Sequence, residues 1–131
     1  MNKAGGKCRD IIFKSNKNQK VMCVHSREAR EYAKVIEEDP KVLTYEINVQ
    51  LDMKKYVYVN PIDIRKEYFE ISWTTDFLLH YVDGSVGIRE MVIKSKLSKR
   101  SEIEKLEFSR RYWSASDVLD WKIVIVDKKE G

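Results

Sequence analysis

The sequence predicts an α/β fold in which a mixed β-sheet of about five strands has a helix packed on each side. Two observations support this class: two segments carry apolar residues at helical spacing, and the segments around them are short apolar runs bounded by turn residues. The order is a β-rich start, a helix, several antiparallel strands, a second helix and a final strand. With 131 residues, 43% of them hydrophobic and 35% charged, the chain is long enough to bury one core.

The first helix is predicted over residues 27–38. Ser26 is suited to cap its N-terminus, and Pro40 ends it. The predicted apolar face follows the helical spacing i, i+3, i+4, i+7 and consists of Ala29, Tyr32, Ala33 and Ile36. Glu28 falls at the boundary of that face, whereas Glu31 is expected to face water.

The second helix is predicted over residues 99–114. One stripe is predicted to face the sheet and consists of Ile103, Leu106, Arg110 and Trp113. Phe108 and Tyr112 form an i, i+4 pair on the opposite side, which should contact a loop of the same domain or, alternatively, a partner surface. Within the first stripe, Arg110 would need a hydrogen-bond acceptor at the sheet edge.

Apolar runs between turn residues predict the strands. An N-terminal hairpin is followed by strands over 42–51 and 56–59, a hairpin of 77–82 with 86–94, and a strand over 121–126 that reads as interior to the sheet. Asp83 and Gly84 form the turn of the second hairpin. We expect two regions, a basic arm with a short hairpin over residues 1–25 and the main domain over 26–131.

Basic residues concentrate between Lys3 and Lys20 and between Lys94 and Arg100, and the net charge is +4. Such a charge distribution permits contact with nucleic-acid phosphates, although a solvated basic face explains it equally well. The absence of a long apolar run and of a signal-peptide core predicts a cytoplasmic protein without a membrane segment. The spacing of Cys8 and Cys23 favours a reduced pair over a zinc site.

A candidate active site lies in the second predicted hairpin. Asp76 stands at the start of one strand and Lys94 at the end of its neighbour, so an antiparallel pairing can bring the two side chains to one end of the sheet. A carboxylate that holds a divalent metal and a lysine that stabilises charge on an attacking water and a phosphate form a nuclease site. The alternative is a surface hairpin with an unremarkable acid and base.

The sequence resembles TnsA, the endonuclease subunit of heteromeric transposases, over about residues 26–127. The resemblance rests on segments in the same order and at similar spacing: Thr75-Asp76-Phe77-Leu78, Asp83-Gly84, Val92-Ile93-Lys94, Glu104-Lys105-Leu106-Glu107, Arg110-Arg111-Tyr112-Trp113 and Asp120-Trp121-Lys122-Ile123-Val124. Glu38-Asp39-Pro40-Lys41-Val42-Leu43 resembles the stretch that ends the first helix of the family's catalytic domain.

This resemblance implies a restriction-endonuclease-like core of the PD-(D/E)xK type that cuts one DNA strand with Mg²⁺ or Mn²⁺. It implies Asp76 as a metal-binding carboxylate, Lys94 as the catalytic lysine and the carbonyl of Ile93 as a further metal ligand. Two positions depart from the family pattern: Val92 occupies a Glu/Gln position, and Ala29 aligns with the helix glutamate. Adjacent Glu28 and nearby Glu90 are therefore the candidates to complete the site.

The leading hypothesis is a metal-dependent endonuclease that acts on double-stranded DNA. Contacts to the DNA backbone are expected from Lys96, Lys99, Arg100 and Arg111. The family also implies a transposase subunit and an ATPase regulator as partners. One alternative is a degenerate nuclease fold that serves as a DNA-binding or assembly module, and another is a shared fold with an unrelated function. His25 is expected to be a bystander, and His80, in the middle of a hairpin strand, is expected to be structural.

Overall fold

A computed structural model describes residues 10–127 of the chain. Within that range, two α-helices and six strands follow one another: β1 (Ile11–Ser15), β2 (Lys20–Val24), α1 (Arg27–Glu37), β3 (Val42–Gln50), β4 (Thr74–Tyr81), β5 (Val86–Ile93), α2 (Arg100–Ala115) and β6 (Asp120–Val126). The predicted order of helices and strands is confirmed. The part of the basic N-terminal arm before residue 10 lies outside the described residues.

The main sheet is mixed and has four strands in the order β3-β4-β5-β6. β3, β4 and β5 pair antiparallel in chain order, and β6 returns after α2 to pair parallel with β5. A parallel pair needs a crossover connection, which α2 supplies. β1 and β2 form a separate antiparallel hairpin. The α/β class with a mixed sheet is therefore confirmed, with one strand fewer than expected in the sheet.

The difference in strand number arises between β3 and β4. The segment predicted as a strand over 56–59 belongs to a 3₁₀ helix, Met53–Tyr58, whose N-terminus is capped by the side chain of Asp52. Tyr56 is buried and its hydroxyl donates to the carbonyl of Ile71, whereas Val57 is 80% exposed. Alternating apolar and aromatic residues produced the strand prediction, but packing of Tyr56 under α2 decides the local structure.

The prediction that residues 121–126 form an interior strand is wrong. β6 pairs with β5 on one side and is the last strand of the sheet. Its alternate residues Ile123 and Ile125 are 37% and 52% exposed, which a strand buried on both faces would not allow. At the start of β6, Asp120 binds Arg89 of β5 with a 3.0 Å ion pair that holds the parallel register.

One core lies between α1, the β1/β2 hairpin and one face of the sheet. It contains Ala33 and Ile36 of α1, Phe13 and Val24 of the hairpin, and sheet residues such as Phe77. Helix α1 begins as predicted, because the Ser26 hydroxyl accepts the backbone N–H of Ala29 at 3.0 Å. The N-terminal hairpin therefore contributes to the same core as the first helix.

A second core lies between α2 and the segment that joins β3 to β4. Phe108 and Tyr112 are 1% and 4% exposed and pack against Leu51, Tyr56, Val59 and Ile64. The predicted contact of this pair with a loop of its own domain is confirmed. The predicted sheet-facing stripe is wrong: Ile103 is 51% exposed, and Arg110 is exposed and pairs with Glu107 on its own helix.

Within residues 10–127, neither helix has the length and apolar character needed to cross a membrane.

Candidate active site

The candidate site lies where strands β4 and β5 part. Their ladder runs from His80 and Val86 to Phe77 and Arg89 and stops there. Beyond that point the backbone N–H of Asp76 donates to Glu90 Oε1 at 3.1 Å, and the backbone N–H of Met91 donates to Asp76 Oδ2 at 2.7 Å. Carboxylates therefore accept from backbone N–H groups that a continued ladder would pair with carbonyls. This exchange brings Asp76 and Glu90 together between the strands.

The side chain of Glu90 is fixed by a relay of hydrogen bonds. Its Oε2 accepts the hydroxyls of Thr75 at 2.7 Å and Ser109 at 2.5 Å. Each hydroxyl in turn accepts an indole N–H, Thr75 from Trp113 at 2.8 Å and Ser109 from Trp121 at 2.9 Å. Because the indoles occupy the hydroxyl oxygens, the hydroxyl protons point to the carboxylate. Strand β4, helix α2 and strand β6 thus all orient a side chain that is 5% exposed.

Burial gives both carboxyl groups an unusual protonation equilibrium. The pKa of Glu90 rises to about 7, first because the group is buried and second because the negative charge of Asp76 is close. Burial also raises the pKa of Asp76, against the hydrogen bond from Met91 and the positive charge of Lys105, which lower it. Two close, buried carboxyl groups that resist ionising together retain a proton near neutral pH or require a cation between them.

Lys105, on helix α2, is the basic residue whose charge acts on Asp76. It lines two adjoining hollows that both contain Asp76, one shared with Glu90 and the other a cleft shared with Glu28. Its ammonium lies 5.9 Å from the ring centre of Trp73. Local spacing does not single out this lysine, although it lies in one of the segments that resemble TnsA. Because the stripe of α2 that faces the sheet was predicted wrongly, the sequence did not indicate which way Lys105 points.

Two other predicted site residues share a cleft with Asp76. Glu28, which is half-buried near the start of α1, lines this cleft, as do Ile93 at the end of β5 and Lys105. The first helix and the β4/β5 hairpin therefore line one cleft. Glu90 does not line this cleft but lines the adjoining hollow, which it shares with Asp76 and Lys105.

Lys94 does not lie opposite Asp76 as the predicted hairpin placed it. Continuing the β4/β5 register by one residue places Glu90 opposite Asp76, and Lys94 is four residues further, or about 13 Å along an extended strand. Lys94 is exposed in a short 3₁₀ turn, Lys94–Lys96, and lines neither hollow beside Asp76. Val92, at the expected ligand position, is 1% exposed in the core.

The predicted DNA-binding residues fall into two groups. Lys96 and Lys99 are exposed just beyond β5. Arg100 is exposed too, but it pairs with the buried carboxylate of Glu104 at 2.5 Å. Arg111 binds Glu107 at 2.9 Å and donates to the carbonyls of Asn60 and Ile62 at 2.6 and 2.8 Å, so its donors tie α2 to the preceding loop.

The donor set fits a hard divalent cation. Asp76 and Glu90 offer carboxylate oxygens, which Mg²⁺ and Mn²⁺ prefer, and a bound cation would offset the charge repulsion that raises the pKa of Glu90. Mg²⁺ keeps several water ligands, so two carboxylates suffice to hold it. Glu28 lines the cleft beside Asp76.

A mixed four-stranded sheet with two helices and an acidic pair where its central strands part is compatible with a restriction-endonuclease-like core. The family model described as TnsA-like endonuclease N terminal matches residues 34–125. The chain therefore belongs to this family, and it is a nuclease domain related to TnsA. No curated protein matches the chain. The matched range contains Asp76, Glu90, Lys94 and Lys105, whereas Glu28 precedes it.

Proposed function

We propose that the domain hydrolyses a phosphodiester bond in one strand of double-stranded DNA and that this activity depends on Mg²⁺ or Mn²⁺. The observation that carries the proposal is the pair of carboxylates at the point where β4 and β5 part, in a domain of a nuclease family: Glu90 accepts the backbone N–H of Asp76, Asp76 accepts that of Met91, and the charge of Asp76 acts on Glu90. Such a pair is unfavourable in a structural role alone, because burying two like charges side by side costs free energy.

Asp76 and Glu90 would hold the cation, and Glu28, which lines the cleft beside Asp76, would contact its water ligands. When bound, the cation would lower the pKa of a water molecule and neutralise charge that develops on the phosphate. Glu90 cannot rotate away, since four hydrogen-bonded side chains orient it. The carbonyl of Ile93 stays a predicted ligand, as it borders the cleft.

Lys105 is the lysine that the geometry favours for stabilising negative charge at the reacting phosphate. Its ammonium acts on Asp76 and borders the same cleft, which are the two conditions for such a role. Lys94 is the residue that the family resemblance favours. The two lysines can be distinguished because only Lys105 lines the cleft.

DNA would approach over the exposed end of β5, where Lys96 and Lys99 offer charge to the phosphates without reading the sequence. Arg111 contributes less in this proposal, since its donors already bind protein carbonyls and Glu107. The family name supports a role in transposition, and we therefore propose that the domain works with a transposase subunit and an ATPase regulator.

The second candidate function is a DNA-binding or assembly module without nuclease activity. Val92 in the core favours it, because that position of the family pattern offers no ligand here. Within residues 10–127, no third His, Cys, Asp or Glu completes a close ligand group with Asp76 and Glu90. This function predicts DNA binding without hydrolysis at any divalent-metal concentration.

Nicking of supercoiled plasmid by the purified chain tests the proposal. Wild-type protein should nick with Mg²⁺ or Mn²⁺ and not with a chelator, and Asp76→Asn and Glu90→Gln should both lose the activity. Asp83→Asn is the matched control, since Asp83 belongs to the same hairpin but lies in its distal turn. Loss of nicking in the control as well, or nicking that survives both site substitutions, would count against this site.

A further inference from the structure

Three side chains of different chemistry converge on the outer face of the β1/β2 hairpin. Asp10 directly precedes β1, Cys23 lies near the end of β2, and His25 directly follows β2. One ligand atom from each residue lies within 4.8 Å of those from the other two. Asp10 Oδ1 and His25 Nδ1 are hydrogen-bonded at 2.8 Å.

The hairpin register explains why these residues share a face. Phe13 and Val24 point into the core, so the residues that alternate with them point outward. Cys23 and His25 are two residues apart on this outer face, and Cys23 pairs with the 70% exposed Ile12 across the ladder. One step beyond the last pair, Ile11 with Val24, the register places Asp10 opposite His25.

We propose that Asp10, Cys23 and His25 bind a divalent cation of the zinc class. Thiolate, imidazole and carboxylate are the three side-chain ligands that Zn²⁺ takes in proteins. Bond lengths of 2.0–2.3 Å in a tetrahedron place ligand atoms about 3.3–3.8 Å apart. The separations here run from 2.8 Å up to at most 4.8 Å, so the hairpin brings the ligand atoms to this range with small side-chain rotations.

Charge is consistent with this assignment. A thiolate and a carboxylate together neutralise a doubly charged ion, and a neutral histidine completes three protein ligands with a fourth position for water. This group contains sulfur and nitrogen, whereas the Asp76 and Glu90 pair offers only oxygen. The two sites therefore differ in the metals that they favour.

The cation would stabilise the connection between β2 and α1. His25 is followed directly by Ser26, which caps α1, and it lines the cleft that contains Glu28 and Asp76. A metal on His25 would hold the start of α1, and with it Glu28, against the hairpin. Binding of this cation would not depend on nuclease activity.

Cobalt binding to the full chain tests the proposal. The Cys8→Ser variant is used as the parent, so that Cys23 is its one thiol. Addition of Co²⁺ should saturate at one equivalent with a near-ultraviolet thiolate-to-cobalt charge-transfer band, which Zn²⁺ should remove. Cys23→Ser should abolish the band, and His25→Gln should weaken binding at least about tenfold.

His80→Gln is the matched control, because His80 binds Glu46 at 2.7 Å in a second exposed histidine–carboxylate pair. Its band should match that of the parent. Cobalt at the Asp76 site gives no thiolate band, so failure of one site is distinguishable from failure of the other. A parent without the band, or a band unchanged in His25→Gln, would overturn the proposal.

A second measurement needs no substitution of a proposed ligand. In the same Cys8→Ser parent, Zn²⁺ should slow alkylation of Cys23 by at least about tenfold, and a chelator should restore the original rate. An alkylation rate that is insensitive to Zn²⁺ would also overturn the proposal.

Discussion

Replacing Asp76 by asparagine should stabilise the metal-free domain at pH 8 while removing its activity. The pKa of Glu90 rises from its ordinary value of 4.5 to about 7, which corresponds to about 3 kcal/mol at 1.36 kcal/mol per pKa unit. Burial is the larger cause and the charge of Asp76 the second. Less than half of this free energy, about 1 kcal/mol, therefore belongs to the repulsion that Asp76→Asn removes.

The sign of the effect follows from the direction of the pKa change. A carboxyl group whose pKa is raised on folding contributes stability that is present below its unfolded pKa and is lost as pH rises through the folded pKa. The wild-type domain should therefore lose stability between about pH 4.5 and 7. At pH 5, where Glu90 is protonated, the repulsion is absent and Asp76→Asn should bring no such gain.

Denaturant unfolding in the presence of a chelator, at pH 5 and pH 8, measures both quantities. We expect the difference between variant and wild type to become more favourable by about 1 kcal/mol from pH 5 to pH 8. Asp83→Asn is the control, because Asp83 is exposed and has no carboxyl neighbour in its turn. The variant should still lose stability toward pH 8, because Glu90 stays buried, but it should lose less than the wild type. A wild-type stability that does not fall over this pH range, or a variant that loses as much stability as the wild type, would refute the reasoning.

Three further outcomes follow from the packing and from the cleft. Phe108→Ala should lower the free energy of unfolding by about 3–5 kcal/mol, because Phe108 is 1% exposed. Ile103→Ala, on the exposed face of α2, should change it by about 0.5 kcal/mol or less. Equal costs in denaturant unfolding would contradict the assignment of Phe108 to the core. Lys105→Ala should slow plasmid nicking by about 10²-fold and Lys94→Ala by much less; the reverse order would favour Lys94. Lys96→Ala should reduce the slope of log affinity for DNA against log salt by about 0.9, with an unchanged slope excluding a phosphate contact.

Local patterns predicted much of this fold. The spacing of apolar residues and the Ser26 cap gave α1 almost to the residue, and the Asp83-Gly84 turn gave the β4/β5 hairpin. These features depend on nearby residues, so a sequence displays them directly. The sequence did not show which face of α2 is buried, because Phe108 packs against a 3₁₀ segment whose position depends on the whole fold.

Only the part of the candidate site that local patterns reveal was predicted from the sequence. Asp76 is recognisable from its place at the start of a hairpin strand, and Glu28 from its place on α1. The contact of Glu90 with the backbone of Asp76 depends on the β4/β5 register, which places the two residues opposite each other and which local spacing does not reveal. Lys105 reaches the site from another element, and such tertiary placement is not encoded in local spacing.

Calorimetric titration with Mn²⁺ at pH 6.5, in two buffers of different ionisation enthalpy, tests most directly whether Asp76 and Glu90 form one cation site. A Cys23→Ser background removes the sulfur ligand of the other proposed site. We predict that one equivalent of Mn²⁺ binds saturably and that a substantial fraction of one proton is released, as the ion displaces the proton shared by the two carboxyl groups. Both Asp76→Asn and Glu90→Gln should lose this binding. Binding that is absent from the parent, or that persists unchanged in both variants, would contradict the account.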